Sequence, residues 1–199
     1  MTRDASLSFS QALEILAMII TAVGMPGSGK SVFAEELRRR GLPLIYFGGL
    51  VLKEVKDRGL PGTPENEKLV REELRAKFGM DAMAQLALPQ LKAKAGDGGK
   101  PCGIDGLYSF SEYRTLKEAF GDDLVLVGIV APKRLRYQRL AEREIRPLTY
   151  GEARDRDIAE IENLEKGGPI AIADHYIHNH GDLTRFLEDT NAMLDKLLG

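Results

Sequence analysis

The sequence predicts an α/β fold in three layers: a parallel five-stranded sheet with helices on both faces and a small lid. Two observations predict it. From Met18 onward, short apolar runs rich in β-branched residues alternate with longer segments of helical period, the pattern of βα units closing into a parallel sheet. The first run also leads through a glycine-rich stretch, Gly24-Met25-Pro26-Gly27-Ser28-Gly29-Lys30-Ser31, directly into a helix. That strand–loop–helix setting builds a backbone cradle for phosphate.

Taken in order, Met18 to Val23 is a buried strand and Ser31 to Arg40 a helix stopped by Gly41. Leu42 to Phe47 reads as the second strand, broken by Gly48-Gly49, and Leu50 to Arg58 as a helix closed by Gly59. Thr63 is a good N-cap, Pro64 suits the first helical position and Glu65 and Glu67 favour the positive helix end, so the next helix runs to Phe78 and stops at Gly79. A helix from Asp81 to about Lys94 contains Pro89, where a kink or break is expected. Ala93 to Gly99 is a small-residue patch that reads as a loop.

Cys102 to Asp105 is the third strand, followed by a helix from Ser111, its expected cap, to Phe120. Asp123 to Val130 is nearly all apolar, as a strand buried on both faces should be. Pro132 opens a helix expected to run from Lys133 to Arg146. Thr149 and Glu152 form a capping box for a helix expected to end at Gly167-Gly168. Ala171 to Asn179 holds the last strand, and Gly181-Asp182 opens a final helix whose apolar positions, Leu183 to Leu198, follow the 3.6 period.

At 199 residues, one domain is expected over residues 18–199, with an N-terminal extension at 1–17. That extension is either a leader before Met18 or a helix over Phe9, Leu13, Ile15 and Leu16. Hydrophobic content of 43% and charged content of 29% are those of a soluble protein. A net charge of −2 and a pI near 6.0 argue against a dedicated nucleic-acid binder. Cys102 is the only cysteine; it excludes an internal disulfide and suits a reducing, cytoplasmic setting. The longest apolar stretch, Ala12 to Met25, is short and interrupted by Glu14, so neither a membrane span nor a signal peptide is expected. The oligomeric state is left open.

The chemistry concentrates in the glycine-rich stretch, which fits G-x-x-x-x-G-K-[ST]. Gly24, Gly27 and Gly29 let the backbone turn tightly and approach a polyphosphate, and the loop N–H groups with the helix start form an anion nest. Met25, Pro26 and Ser28 complete that binding loop. Lys30 is expected to reach the β- and γ-phosphates of ATP and the Ser31 hydroxyl to ligate Mg²⁺.

Asp105 ends the third strand, at the same sheet edge as the loop. It can hold a Mg²⁺-bound water opposite Ser31, accept a proton from an acceptor hydroxyl, or merely cap a turn. Arg136, Arg139, Arg143 and Arg146 share one face of their expected helix. Alone they describe a solvated basic face; beside a phosphate loop, Arg139 and Arg143 become candidates for phosphate or adenine contact, with Arg154 and Arg156 weaker ones. His175, His178 and His180 fit no standard zinc spacing and read as ordinary strand-end histidines.

These residues carry a resemblance. From Met18 to Leu198 the chain resembles the nucleoside-monophosphate-kinase branch of P-loop NTPases. Within it the chain looks most like the archaeal adenylate-kinase-related family, and more distantly like dephospho-CoA kinase. The phosphate loop, Thr63 to Asn66 with Arg71 to Leu74, Ile104 to Gly106, Pro132 with Arg139-Leu140 and Arg143, and Ala173 to Leu183 carry it. It implies a nucleotide-kinase-like fold with acceptor-binding helices at about 48–95 and a lid at about 144–151. It further implies ATP- and Mg²⁺-dependent phosphoryl transfer to a small-molecule, nucleotide-like acceptor, with Lys30, Asp105, Arg139 and Arg143 as catalytic residues and Ser31 and Asp105 at the metal.

The acceptor side departs from that pattern. Gly49 and Leu52 stand where adenylate kinases carry an Asp and an Arg, Leu107-Tyr108-Ser109 where another Arg belongs, and no acid follows the second strand as in dephospho-CoA kinases. Lys53, Arg71, Tyr108 and Arg114 are the side chains available to compensate. Dephospho-CoA kinase activity and a nucleotide-binding switch or slow NTPase are the competing readings.

Overall fold

The computed structural model describes residues 18–96 and 99–199. The extension at 1–17 and the middle of the Ala93–Gly99 patch therefore lie outside the described residues. Five strands, β1 (Ile19–Val23), β2 (Leu44–Tyr46), β3 (Cys102–Asp105), β4 (Leu124–Val130) and β5 (His175–His178), form one sheet in the order β2-β3-β1-β4-β5. Every pairing is parallel, with Ile19 level with Cys102 on one side and Leu124 on the other. All five residues of β1 are buried, which is why its sequence is continuously apolar rather than alternating.

Alternate side chains of β1 feed two cores. Ile19 and Val23 pack with Ile104, Leu116 and Leu126 under α2 (Phe47–Asp57), α3 (Pro64–Phe78), α4 (Ala82–Gly96) and α5 (Phe110–Phe120). Ile20 and Ala22 pack on the opposite face with Phe33 and Leu37 of α1 (Lys30–Arg39) and Phe186 and Leu194 of α9 (Leu183–Leu198). Each such large apolar side chain, taken from water, contributes about 1.5–3 kcal/mol. A small satellite core, Tyr137, Leu140 and Ala153 with Leu148 against it, joins α6 (Lys133–Ala141) to α7 (Tyr150–Leu164).

Several boundaries differ from the sequence expectation. Gly48 and Gly49 do not break the chain but lie in the first turn of α2, where the Tyr46 ring covers them; a Cβ on Gly48 would sit 2.4 Å from that ring. α4 continues through Pro89 without a break. Proline there removes the bond to the Gln85 carbonyl, and both residues are exposed, so water can satisfy the orphaned acceptor. α4 also takes in Ala93 to Gly96 of the expected loop. α5 is capped by Ser109, not Ser111, because Glu112 stands three residues on and completes a capping box.

The largest difference concerns the arginine stripe. α6 ends at Ala141, and Arg146 takes a left-handed φ of 55° before Pro147, a residue that disfavours helix at the position before it. Arg143 and Arg146 therefore lie on an irregular segment that leads to the Thr149 capping box of α7. Gly167-Gly168 starts a short helix, α8 (Gly167–Ala171), instead of ending α7, which shortens β5 to His175–His178. Among the described residues no helix is long and apolar enough to cross a membrane.

Candidate nucleotide site

In an open parallel sheet, ligands settle at the carboxyl ends of the strands where the strand order reverses. Here that point lies between β1 and its neighbours β3 and β4, and β1 runs straight into the Gly24–Ser31 loop. The three loop glycines are each required by a different neighbour. A Cβ on Gly24 would fall 2.4 Å from the Ile129 carbonyl of β4, one on Gly27 2.6 Å from the Arg136 carbonyl of α6, and one on Gly29 2.6 Å from Asn179 Nδ2. Gly27 and Gly29 also hold positive φ, 79° and 116°.

Side chains from later elements tie the loop down. Arg136 Nη1 donates to the Pro26 carbonyl at 3.0 Å and Asn179 Nδ2 to the Ser28 carbonyl at 2.8 Å. Lys30 arches back, its Nζ donating to the carbonyls of Gly24 at 2.7 Å and Met25 at 3.2 Å. Burial first, then the positive charges of Lys166, Arg156 and Arg143 against the opposing pull of Glu160, brings the Lys30 ammonium down to about 7. A lysine so placed is a cation short of counter-charge. A glycine cradle that tolerates no Cβ, with such a cation at its mouth, fits a polyphosphate.

Two adjoining clefts share Gly29, Val32 and Arg139. One, about 520 Å³, runs from the loop over Lys30 and Ser31 to Arg143 and Ile145. The other, about 320 Å³, lies between Leu135 and Gln138 of α6 and the Asn179–Leu183 turn, with Phe186 at its base. The first brings Lys30, Arg139 and Arg143 to the loop, with Glu144 the one acid on its wall, and the second mixes apolar and amide groups (Val32, Leu135, Leu183, Gln138, Asn179) with the charged Arg139, Glu142 and Asp182.

The four stripe arginines have four destinations. Arg136 is buried in a two-pronged pair with Asp157 of α7, at 2.9 and 2.7 Å, and Tyr137 Oη donates to the same carboxylate at 3.1 Å. Arg139 spends its donors on Asn179 Oδ1 at 2.9 Å and the Gly181 carbonyl at 3.0 Å, so its guanidinium spans the junction of the two clefts. Arg143 lines the loop cleft. Arg146 reaches Glu67 of α3 at 3.6 Å, joining the segment after α6 to the helices on the other side of the cleft. The single helical face expected for them does not form. Arg154 pairs at the surface with Asp155.

Asp105 stands at the carboxyl end of β3, level with Tyr46, on the edge that carries the loop. Its carboxylate accepts from Arg38 Nη2 of α1 at 3.0 Å, a partner that the sequence spacing did not signal. Of the compensating side chains, Lys53 pairs with Asp57 on its own helix, whereas Tyr108 joins a charged group near the loop. Burial, then Tyr46, Asp105 and Glu160, pushes the Tyr108 hydroxyl up to about 12, so it stays protonated. The members of this group from α7 and the turn after it, Arg156, Glu160 and Lys166, carry no motif. Glu160 and Lys166 were missed in the sequence, where E-K-G-G resembles a solvated turn. Among the described residues no group of three or more His, Cys, Asp or Glu could hold a metal ion.

Comparison with known proteins agrees with this layout. Residues 20–165 match the family model described as an AAA domain. A UPF0200 protein of Thermococcus kodakarensis is 34% identical over 184 residues, which span 91% of this chain and 98% of that protein. Among solved structures, TT1252 from Thermus thermophilus aligns with a TM-score of 0.63 at 20% identity, over 92% of this chain and 97% of that one. Dephospho-CoA kinase from Campylobacter jejuni aligns with a TM-score of 0.58 at 18% identity, over 90% and 96%. At those identities the structural likeness speaks for the fold alone. The sequence match over nearly the whole length is what places the chain, with its five-stranded P-loop kinase-like sheet, in the UPF0200 family.

Proposed function

We propose that the chain is an ATP- and Mg²⁺-dependent kinase that transfers a phosphoryl group to a small, nucleotide-like acceptor. One observation carries the reading: the glycine cradle, with a desolvated Lys30 and exposed Ser31 at its mouth, opens into two joined clefts sized for a triphosphate and a base. Gly24 to Ser31 holds the phosphates through backbone N–H groups, and Lys30 leaves its carbonyl partners for phosphate oxygens. Ser31 and Asp105 are the oxygen donors for Mg²⁺, which when bound neutralises phosphate charge. Arg143 meets the transferring group from the far side of the cleft, and Arg139 supports the base and the α-phosphate side. Asp105 either orients metal-bound water or accepts the acceptor's proton. The acceptor enters beside α2 and α3, in a cytoplasmic setting, without membrane or nucleic acid.

A second reading is favoured by two observations. Asp105 is already engaged by Arg38, and Leu52 replaces an acceptor arginine. Both suit a nucleotide-dependent switch with slow hydrolysis.

Coupled measurement of ADP release, with nucleoside monophosphates in one arm and dephospho-CoA in another, separates the readings. The kinase reading expects at least one monophosphate to raise ADP release well above the water background. Stimulation by dephospho-CoA alone moves the activity to that acceptor, and tight ATP binding with no stimulation by either arm leaves the switch.

A further inference from the structure

Another face of α6 forms a further cleft, about 540 Å³, with the start of α7. Lys133, Arg134, Tyr137, Gln138, Ala141 and Tyr150 line it. It shares Gln138 with the 320 Å³ cleft and no residue with the cleft over the phosphate loop. A cavity of this order holds a molecule of mononucleotide size.

Two aromatic rings line it, and both are held in place by the protein. Tyr137 is buried, and its Oη donates to Asp157 Oδ2 at 3.1 Å. The same carboxylate holds Arg136, which donates to the Pro26 carbonyl, so this ring is tied to the phosphate loop. Tyr150 meets the Tyr137 ring edge to face, with centroids 5.0 Å apart and planes at 77°. Tyr150 nevertheless stays 62% exposed. A ring steadied by one neighbour and open to solvent is a stacking platform for a planar group.

The charge in the cleft is of one sign. Lys133 and Arg134 are exposed, and among the described residues neither enters an ion pair. Both stand in the first turn of α6, which has no acid there to suit the positive helix end. The acids of neighbouring turns are engaged elsewhere: Glu142 by Gln138, Glu152 by Thr149, Asp155 by Arg154 and Asp157 by Arg136. A solvated basic face would account for the two cations alone, and a satellite core for Tyr137 alone. Neither accounts for Tyr150, a large ring kept open over a cleft whose only charges are two unpaired cations.

We propose that this cleft binds a small phosphorylated aromatic molecule, its ring stacked on Tyr150 and its phosphate on Lys133 and Arg134. A dianion answers two adjacent cations through charge-assisted hydrogen bonds. The occupant is a small molecule rather than an RNA strand, because the chain carries a net charge of −2 and the cations of this cleft are confined to one helical turn. The site is independent of the kinase reading, since it lies outside the clefts on which that reading rests.

The test observes the full chain through its six tyrosines. Isotopic labelling of the rings gives each an NMR signal, and Tyr137→Phe and Tyr150→Phe identify the two that line the cleft. AMP, raised to about 10 mM so that even a millimolar site fills, should shift both signals saturably. Adenosine should bind about tenfold more weakly, for want of the phosphate. Tyr150→Ala, read at Tyr137, should weaken AMP about tenfold through lost stacking. Lys133→Gln combined with Arg134→Gln should weaken AMP about as much and leave adenosine unchanged. All three positions are exposed, and circular dichroism checks that the variants fold. Lys30→Ala, which disables the phosphate loop, should leave the Tyr150 titration within about twofold of the parent, and this separates the site from the kinase reading.

Shifts confined to Tyr46, level with Asp105, and to Tyr108 would place AMP in the nucleotide site alone and overturn the proposal. Equal binding of AMP and adenosine would overturn it, as would a Tyr150→Ala protein that binds AMP like the parent. A short single-stranded RNA that shifts Tyr150 at about a hundredfold lower concentration than AMP would overturn it too, and make the surface one for nucleic acid.

Discussion

Lys30 carries a consequence that can be measured without knowing the acceptor. Its ordinary value is 10.5, and burial with neighbouring cations lowers it to about 7. The folded, ligand-free protein therefore binds fewer protons than the unfolded chain between those values. The cost of burying Lys30 is complete below about pH 7 and eases as pH rises toward 10.5. Phosphate oxygens reverse the preference, so ATP binding at pH 8 should take up about one proton, and at pH 6 almost none. Titration calorimetry in buffers of different ionisation enthalpy reads this directly; heats at pH 8 that do not depend on the buffer would count against it. Asp105 makes a different claim. Asp105→Asn should lower kcat about a hundredfold or more with little change in ATP affinity, in keeping with general-base or metal-orienting work. A variant as fast as the parent removes Asp105 from the mechanism and leaves it as the partner of Arg38.

α6 and α7 meet through the small Tyr137, Leu140 and Ala153 core and through a buried ion pair, Arg136 with Asp157, whose arginine also reaches the phosphate loop at the Pro26 carbonyl. Asp157→Ala leaves an uncompensated buried guanidinium and should destabilise the fold by about 3–5 kcal/mol. Urea unfolding measures it; a loss under about 1 kcal/mol would mean that the pair does not lock these helices. The same contact explains what the sequence revealed and concealed. The loop, its strand and helix, the Thr63 and Thr149 caps and the Asp105 strand end were legible because each rests on local chemistry within about one helical turn. The fates of the stripe arginines were not, because Asp157 lies 21 residues from Arg136 and Asn179 40 from Arg139. Helical spacing put four cations on one face, but that helix ends at Ala141 and tertiary partners divide them. Lys166 was hidden for the same reason: its burial depends on Tyr108 and Glu160, brought to it from β3's end and from α7.

At the scale of the whole molecule, the sheet order places β1 between β3 and β4, so the phosphate loop, Asp105 and the α6–α7 cations converge on one edge although they are spread from residue 24 to residue 166. The central claim is that this edge grips a Mg²⁺-bound triphosphate through the Gly24–Ser31 cradle and Lys30. Equilibrium titration of the parent and of Lys30→Ala with Mg·ATP tests it most directly, with circular dichroism to confirm that both are folded. Removing one charge-assisted phosphate contact from a desolvated site should weaken binding about tenfold to a hundredfold. Equal affinity in the two proteins, or no ATP binding by the parent, would contradict the account.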